Sequence, residues 1–357
     1  MATGQPVPQG RTTRDNWMTP LYRMLHLDYH QPPWMRGVGA ELTEEEADRQ
    51  ARMFRDAGVQ AVEIFAYDHY GQAFYPSDIG IVHPGLAADY TGRMAAALKA
   101  AGLKLILYLN VYSSVHLHRD HPDWFVKAED GAYPKGGWLA HDASHICASS
   151  PYLDAYFVPL LQEAVRRHDP AAVWLDTGSW MVETRCYCAN CADAYAAQTG
   201  RDLPRGPMPD ARDELERPEW VAWRLWRRGQ IRTYVETVVT AVRAVNPGVL
   251  VADNNLGRFS TGVPQVRDGT PITWLRPSDL GVDYLSCDPV PMGGNHEMTL
   301  SVEGRYQWTT GLPFSYMNER FNGWGEWQFR PPNGLAPGGG YGRGQRRTGL
   351  LRRSTLS

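Results

Sequence analysis

The chain has 357 residues, enough for one large α/β barrel or two smaller domains. It is 43% hydrophobic and 21% charged, ordinary for a globular protein, and its formal net charge of -3 gives no sign of a nucleic-acid or acidic-membrane partner. Thirteen Trp and 18 Tyr are many, and their faces suit stacking on sugar rings as well as filling a core.

Residues 1–18 read as a polar leader that lacks the apolar segment of a signal peptide. No stretch reaches the ~18 apolar residues that span a bilayer, so a membrane is not expected as a partner. The first apolar run is LYRMLHLDYH (21–30). Thr43 and Glu46 then fit the capping pattern T-x-x-E, and Ala47, Ala51, Phe54 and Ala57 recur at helical spacing up to Gly58. A second run, VQAVEIFAYDHY (59–70), precedes a helical stripe of Tyr90, Met94, Leu98 and Ala101 that Gly102 ends. The third run is LKLILYLNVYSS (103–114). Pro151 opens a helix carrying Tyr156, Phe157, Leu160, Leu161, Ala164 and Val165, and AAVWLDTGSW (171–180) is the fourth run. Pro218 opens a long helix with Ile231, Tyr234, Val235, Val238, Val242 and Val245 on one face, closed by Asn-Pro-Gly at 246–248. The last runs are VLVADNN (249–255), VDYLSCDPV (282–290) and LPFSYMNERF (312–321).

Strand alternating with helix predicts a parallel sheet. No G-x-G-x-x-G follows the first run, which argues against a dinucleotide fold. Nearly every run starts apolar and ends in Asp, Asn, His, Tyr or Glu, as strands do when their C-terminal ends form an active-site rim. The expected fold is therefore a (β/α)8 TIM barrel, a catalytic domain over residues 19–330. Residues 331–357 are rich in Gly and Arg, contain no acidic residue and offer no strand. The eighth strand is thus expected to be missing or irregular, with this tail disordered or the mark of a truncated chain.

The rim residues carry the chemistry. Asp176 ends the fourth run, Asp253 the fifth, Asp288 the sixth and Glu319 the seventh. Glycoside hydrolysis needs two carboxyl groups flanking the scissile bond, and these acids supply candidates for both. Any one of them alone serves equally well as a cap on loop amides or a partner for Arg. Around them stand His26, Asp28 and His30; Tyr67, Asp68 and His69; Asn110 and Tyr112; and Asn254 and Asn255. Such a ring of donors and acceptors suits a polyhydroxylated small molecule or oligosaccharide.

Cys186, Cys188 and Cys191 form C-x-C-x-x-C, a spacing that wraps one tetrahedral Zn²⁺ when a fourth ligand arrives. Cys147 is the best candidate for that ligand and His145 a substitute, whereas Cys287, inside an apolar run, packs as a small hydrophobe. Reduced thiols without a metal are the alternative. An odd count of five cysteines with no export signal points to the cytoplasm. A closed four-thiolate site is structural, and it would pin the loop that frames the pocket above Asp176.

These segments carry a family resemblance. VWLDTGSW resembles the fourth-strand segment of α-L-fucosidases, and AGLKLILYLNVYSS (101–114) resembles their third. ICASSPYLDAYF, CYCANCADAYAAQTGRDLP and MNERFNGWGEW resemble bacterial barrel proteins described as hypothetical glycoside hydrolases. The single Cys followed by C-x-C-x-x-C is similar to the cluster of zinc-containing bacterial β-galactosidases. The fucosidase likeness implies a retaining exo-glycosidase with Asp176 as nucleophile. Glu319, chosen by position, would be acid and then base. It leaves His26, His69, Asn110 and Tyr112 to hold sugar hydroxyls, with Asp28, His30, Tyr67, Asn254 and Asp288 alongside and Trp180 or Trp324 stacked on the ring. The β-galactosidase likeness implies instead Glu319 as nucleophile, and zinc on Cys147, Cys186, Cys188 and Cys191. That family carries Asn-Glu where this chain reads Leu-Asp-Thr. A sugar-binding barrel without activity is the third reading, and a homo-oligomer is left open.

Overall fold

Each of the seven apolar runs holds a β-strand in the computed structural model. It describes residues 16–18, 23–134, 144–176, 185–207, 209, 216–254, 277–287, 307–308, 310–318 and 353–356. The strands are β1 (Arg23–His26), β2 (Ala61–Tyr67), β3 (Lys104–Asn110), the short pair β4 (Ser113–Ser114) and β5 (Ser144–His145), then β6 (Ala172–Asp176), β7 (Leu250–Asp253), β8 (Leu285–Cys287), β9 (Phe314–Asn318) and β10 (Arg353–Leu356). Eight of them form one sheet in the order β7-β6-β3-β2-β1-β10-β9-β8, and every pairing in it is parallel. A parallel bridge between Asn254, just past β7, and Ser286 in β8 joins the two ends of that row. Parallel strands with helical crossovers, closed edge to edge, make the expected TIM barrel.

The strand that completes the row was not expected. Arg353–Leu356 pairs with β1 on one side, Arg23 opposite Ser354, and with β9 on the other, Arg353 opposite Ser315. The tail is therefore not wholly without structure, although 331–352 lie outside the described residues. A four-residue strand flanked by partners on both sides is held by their backbone groups and needs no apolar alternation of its own.

Among the described residues five α-helices surround the sheet: α1 (Glu44–Asp56), α2 (Tyr90–Ala100), α3 (Val158–His168), α4 (Ala189–Thr199) and α5 (Pro218–Val245). Thr43 caps α1 as its sequence predicts, its hydroxyl accepting from the Glu46 N–H at 3.2 Å, and Ala47 and Ala51 are the buried face. A π turn at Leu153–Phe157 leads into α3. On α5 the stripe of Ile231, Tyr234, Val235, Val238 and Val242 is buried, as expected from its spacing, and Val245 is half-buried against it. Among the described residues no helix is long and apolar enough to cross a membrane.

Inside the barrel the strand register sets side chains shoulder to shoulder. His26 lies opposite Glu63, Phe65 opposite Tyr108, Tyr108 opposite Trp174, and Asn110 opposite Asp176. The Phe65 and Tyr108 rings stack at 3.8 Å, and the Tyr108 and Trp174 centroids are 5.3 Å apart. This aromatic floor, rather than the branched aliphatic layers usual in such barrels, underlies Asp176.

Candidate active site and thiol cluster

Asp176 is the last residue of β6 and is buried, 6% exposed. Three elements bring donors to it. His69 Nε2 donates to Oδ2 at 2.9 Å, the Tyr108 hydroxyl of β3 donates to the same oxygen, and Asn254 Nδ2 donates to Oδ1 at 2.7 Å. Asn254 is placed by its own backbone, whose N–H bonds to the Leu175 carbonyl at 2.8 Å. Burial alone would raise the Asp176 pKa. The hydrogen bond and charge of His69, with the bonds from Tyr108 and Asn254, outweigh it and hold the carboxyl below its ordinary value.

A tight turn after β2 aims His69. The Asp68 N–H bonds to the Gln72 carbonyl at 3.1 Å, and Gly71 between them has φ +80°. A Cβ on Gly71 would lie 2.5 Å from Ser114 Oγ, so both the backbone and the close approach demand glycine. Ser113 Oγ donates to the His69 carbonyl at 2.8 Å. Asp68, fully buried, accepts from the N–H groups of Gln31, Tyr70 and Gln72 and so ties the β1 and β2 loops together. Burial pushes its pKa up to about 7 against those bonds.

Of the residues expected at the rim, His26, His30, His69 and Asn254 gather around Asp176. The His30 ring is 4.8 Å from that of His69, and its Nδ1 accepts from the His69 N–H at 3.4 Å. Burial, then His69, hold His30 well below its ordinary pKa, with Asp176 opposing, so its imidazole is neutral. His26 is edge-on to Tyr108 at 6.0 Å and Trp174 at 6.1 Å. Tyr112 packs on His69 at 6.0 Å. Asp28 is exposed beside His30, accepting from its N–H at 3.3 Å.

Others turn elsewhere. The Tyr67 hydroxyl is 3.2 Å from that of Tyr156, in the turn ahead of α3, because the β2–β3 register shifts between Phe65 and Tyr67 and sends Tyr67 to the helix side. Asn110 Nδ2 donates to the Ser113 carbonyl at 2.9 Å and so shapes the turn after β3. Asp253 accepts from the Tyr234 hydroxyl of α5 at 2.7 Å, which accounts for its carboxylate as a strut. Glu319, Trp180, Asp288, Asn255 and Trp324 lie outside the described residues. Sequence reasoning missed Tyr108 and Glu63. Tyr108 stands two positions before Asn110 on β3, a parity the sequence offered, whereas Glu63 is set beside His26 by the β1–β2 register, which the sequence does not show.

Outside the barrel, Cys147 follows β5, Cys186 and Cys188 lead into α4, and Cys191 lies in its first turn. All four are buried and free, with their sulfurs within 4.8 Å of one another. Cys147 Sγ lies 3.4 Å from that of Cys188 and 3.3 Å from that of Cys191. Four thiolates on one tetrahedral ion at about 2.3 Å would sit roughly 3.8 Å apart, so the set fits a single closed metal site with no position left for water. Cys147 is thus where the expected fourth ligand belongs. His145 instead rests its ring 4.7 Å from that of Tyr112. Trp220, Trp223, Trp226, Tyr195 and Val126 pack around the thiols as a second core.

Residues 46–177 match a family model described as hypothetical glycosyl hydrolase 6. No curated protein matches the chain in sequence. Among solved structures, alpha-L-fucosidase isoenzyme 2 from Paenibacillus thiaminolyticus is 24% identical with a TM-score of 0.72, over 94% of this chain and 46% of its own. A beta-galactosidase from the psychrophilic Marinomonas ef1 is 14% identical with a TM-score of 0.64, over 94% and 54%. One from the Antarctic haloarchaeon Halorubrum lacusprofundi is 15% identical with a TM-score of 0.62, over 94% and 52%. The chain thus spans about half the length of these structures, and the likeness is one of fold. The chain carries a segment that matches a hypothetical glycosyl hydrolase family, set in a barrel of the kind that fucosidases and β-galactosidases share.

Proposed function

We propose that the protein is a retaining exo-glycosidase of α-L-fucosidase-like type, acting on a small glycoside or an oligosaccharide. The observation that carries this reading is Asp176: a buried, ionised carboxylate at the C-terminal end of a barrel strand, fixed by His69, Tyr108 and Asn254. In this reading an Asp176 oxygen attacks the anomeric carbon as the glycosidic bond breaks, and Glu319 gives its proton to the leaving oxygen. Glu319 then takes a proton from the water that hydrolyses the glycosyl ester. The three donors temper Asp176 as a nucleophile, and they stabilise the carboxylate as it departs in the second step. His26, His30, His69 and Asn254 hold sugar hydroxyls, and Trp180 or Trp324 covers the ring.

The thiol cluster favours the second reading, a β-galactosidase-like hydrolase with Glu319 as nucleophile. A panel of nitrophenyl glycosides separates the two. For the first, Asp176→Gly abolishes turnover and azide restores it; turnover that survives the substitution removes the assignment. Binding of a sugar with no hydrolysis across the panel would leave an inactive, carbohydrate-binding barrel. For the cluster the proposal is one structural Zn²⁺ on Cys147, Cys186, Cys188 and Cys191, checked by metal analysis. Free thiols of this kind suit a reducing compartment, and the proposal places the protein in the cytoplasm.

A further inference from the structure

Glu63 stands mid-strand in β2, between Val62 and Ile64, and is 1% exposed. Barrel interiors are ordinarily filled by branched aliphatic side chains. A carboxylate there loses its hydration and must be repaid by good partners. Glu63 has one: Oε1 is 2.7 Å from Nδ1 of His26, directly opposite it in the strand register. Its other oxygen, Oε2, has no hydrogen-bond partner among the described residues. An apolar residue would serve the core better, so packing does not account for Glu63.

What it does account for is the attitude of His26. That ring is 4% exposed and meets Phe65, Tyr108 and Trp174 edge-on, with centroids at 5.6, 6.0 and 6.1 Å. Tyr108 in turn donates to Asp176. Three rings limit where the imidazole can lie, but none of them fixes which nitrogen carries the proton.

We infer that Glu63 is a positioning residue for His26: its carboxylate accepts the Nδ1 hydrogen, fixing the ring and its tautomer, so that the Nε2 edge meets a hydroxyl of the sugar bound at Asp176. The tautomer part of this rests on the dyad alone, and the sugar part rests on the glycosidase reading. The logic is that of a carboxylate behind a catalytic or ligating imidazole, where the outer partner sets basicity and direction without touching the substrate.

The test uses the full chain with Glu63→Gln, alone and with His26→Asn. Imidazole ¹⁵N spectra, with His26 identified by its loss in His26→Asn, are expected to show the proton on Nδ1 in the wild type and a mixture of tautomers in Glu63→Gln. A wild-type spectrum with the proton on Nε2 overturns the proposal, and that measurement needs no folded variant of Glu63. In kinetics, Glu63→Gln is expected to lower kcat/KM roughly tenfold to hundredfold, while melting at or above the wild-type temperature. The double variant should be no slower than His26→Asn. Lower stability with unchanged kcat/KM, or additive losses in the double variant, would show a packing role instead. A wild type that cleaves no glycoside sinks the hydrolase reading, and the ¹⁵N spectra still decide for or against Glu63.

Discussion

Asp176 and Cys191 lie on one stretch of chain and are both buried acids, yet their surroundings are organised differently. Asp176 is met by donors from the β2 turn, from β3 and from the residue after β7, with His26, His30 and Glu63 close by. None of these polar groups is needed to fill a barrel, and each is held there by strands that are rigid without it. Cys191 sits among three other thiols, three tryptophans and the fully buried Arg227, outside the barrel, in the first turn of α4. In the first region the scaffold supports the polar groups. In the second, on the proposed zinc reading, the polar groups would support the scaffold. Substitutions in the first should therefore cost activity before stability, and in the second stability before activity.

The largest effect tests the first half. Asp176→Asn is expected to lower turnover at least ~10³-fold, about 4 kcal/mol in the barrier, with the melting temperature falling by only a few degrees. Steady-state kinetics beside calorimetry reads both. A protein that unfolds early but keeps its rate would reverse the comparison. Next is the second half: Cys188→Ser, or treatment with a strong chelator, should lower the melting temperature by roughly 10 °C. The rate per folded molecule should change less than about twofold, checked by active-site counting below the transition. Loss of rate at unchanged stability would move the cluster into the chemistry.

The mouth of the barrel offers a sharper, smaller probe. Asp68 is buried and its pKa is pushed up to about 7, above the ~3.9 of an unfolded chain. Between those values the folded state keeps a proton that the unfolded state has lost. Stability should therefore fall as pH rises from about 4 through 7, by roughly 1.4 kcal/mol per unit at most. Unfolding free energies from urea titration at pH 5 and pH 8 are expected to differ by roughly 2.6 kcal/mol in the wild type and by less in Asp68→Asn. Equal slopes would mean that its three backbone donors keep Asp68 ionised throughout.

Much of this was legible in the sequence because it depends on period and position. Seven strands followed from short apolar runs, α5 from one stripe of Val, Ile and Tyr, and Asp176 from standing last in its strand. Cys147 was found because a lone thiol near a C-x-C-x-x-C completes a familiar valence. The failures share a cause: they turn on which way one side chain faces. Tyr67 leaves the mouth through a register shift that no composition signals. Asp253 is engaged by a tyrosine one helix away. Glu63 and Tyr108 were hidden inside apolar runs, where parity with His26 and Asn110 sets their face only once the register is known. Arg353–Leu356 has no strand pattern because its neighbours supply the ladder on both sides.

The smallest effect concerns how the second region balances charge. A divalent ion bound by four thiolates leaves a net charge of about -2 in a dry core, which needs a cation nearby. Arg227 is fully buried, its guanidinium 5.4 Å from the Trp223 ring centroid and 5.2 Å from that of Trp226. Its Nη1 donates to Gln230 Oε1 at 2.7 Å, Gln230 donates to Ser149 Oγ, and Cys191 Sγ lies 3.5 Å from that same oxygen. This chain links the guanidinium to a sulfur of the proposed zinc site. Arg227→Met keeps much of the packing on the two tryptophans and removes the charge. It is expected to weaken zinc about tenfold, roughly 1.4 kcal/mol, in competition with a chromophoric chelator, and Arg227→Lys should weaken it less. If Met and Lys behave alike, the arginine serves the tryptophans, and the charge of the thiolate knot is balanced by something other than Arg227.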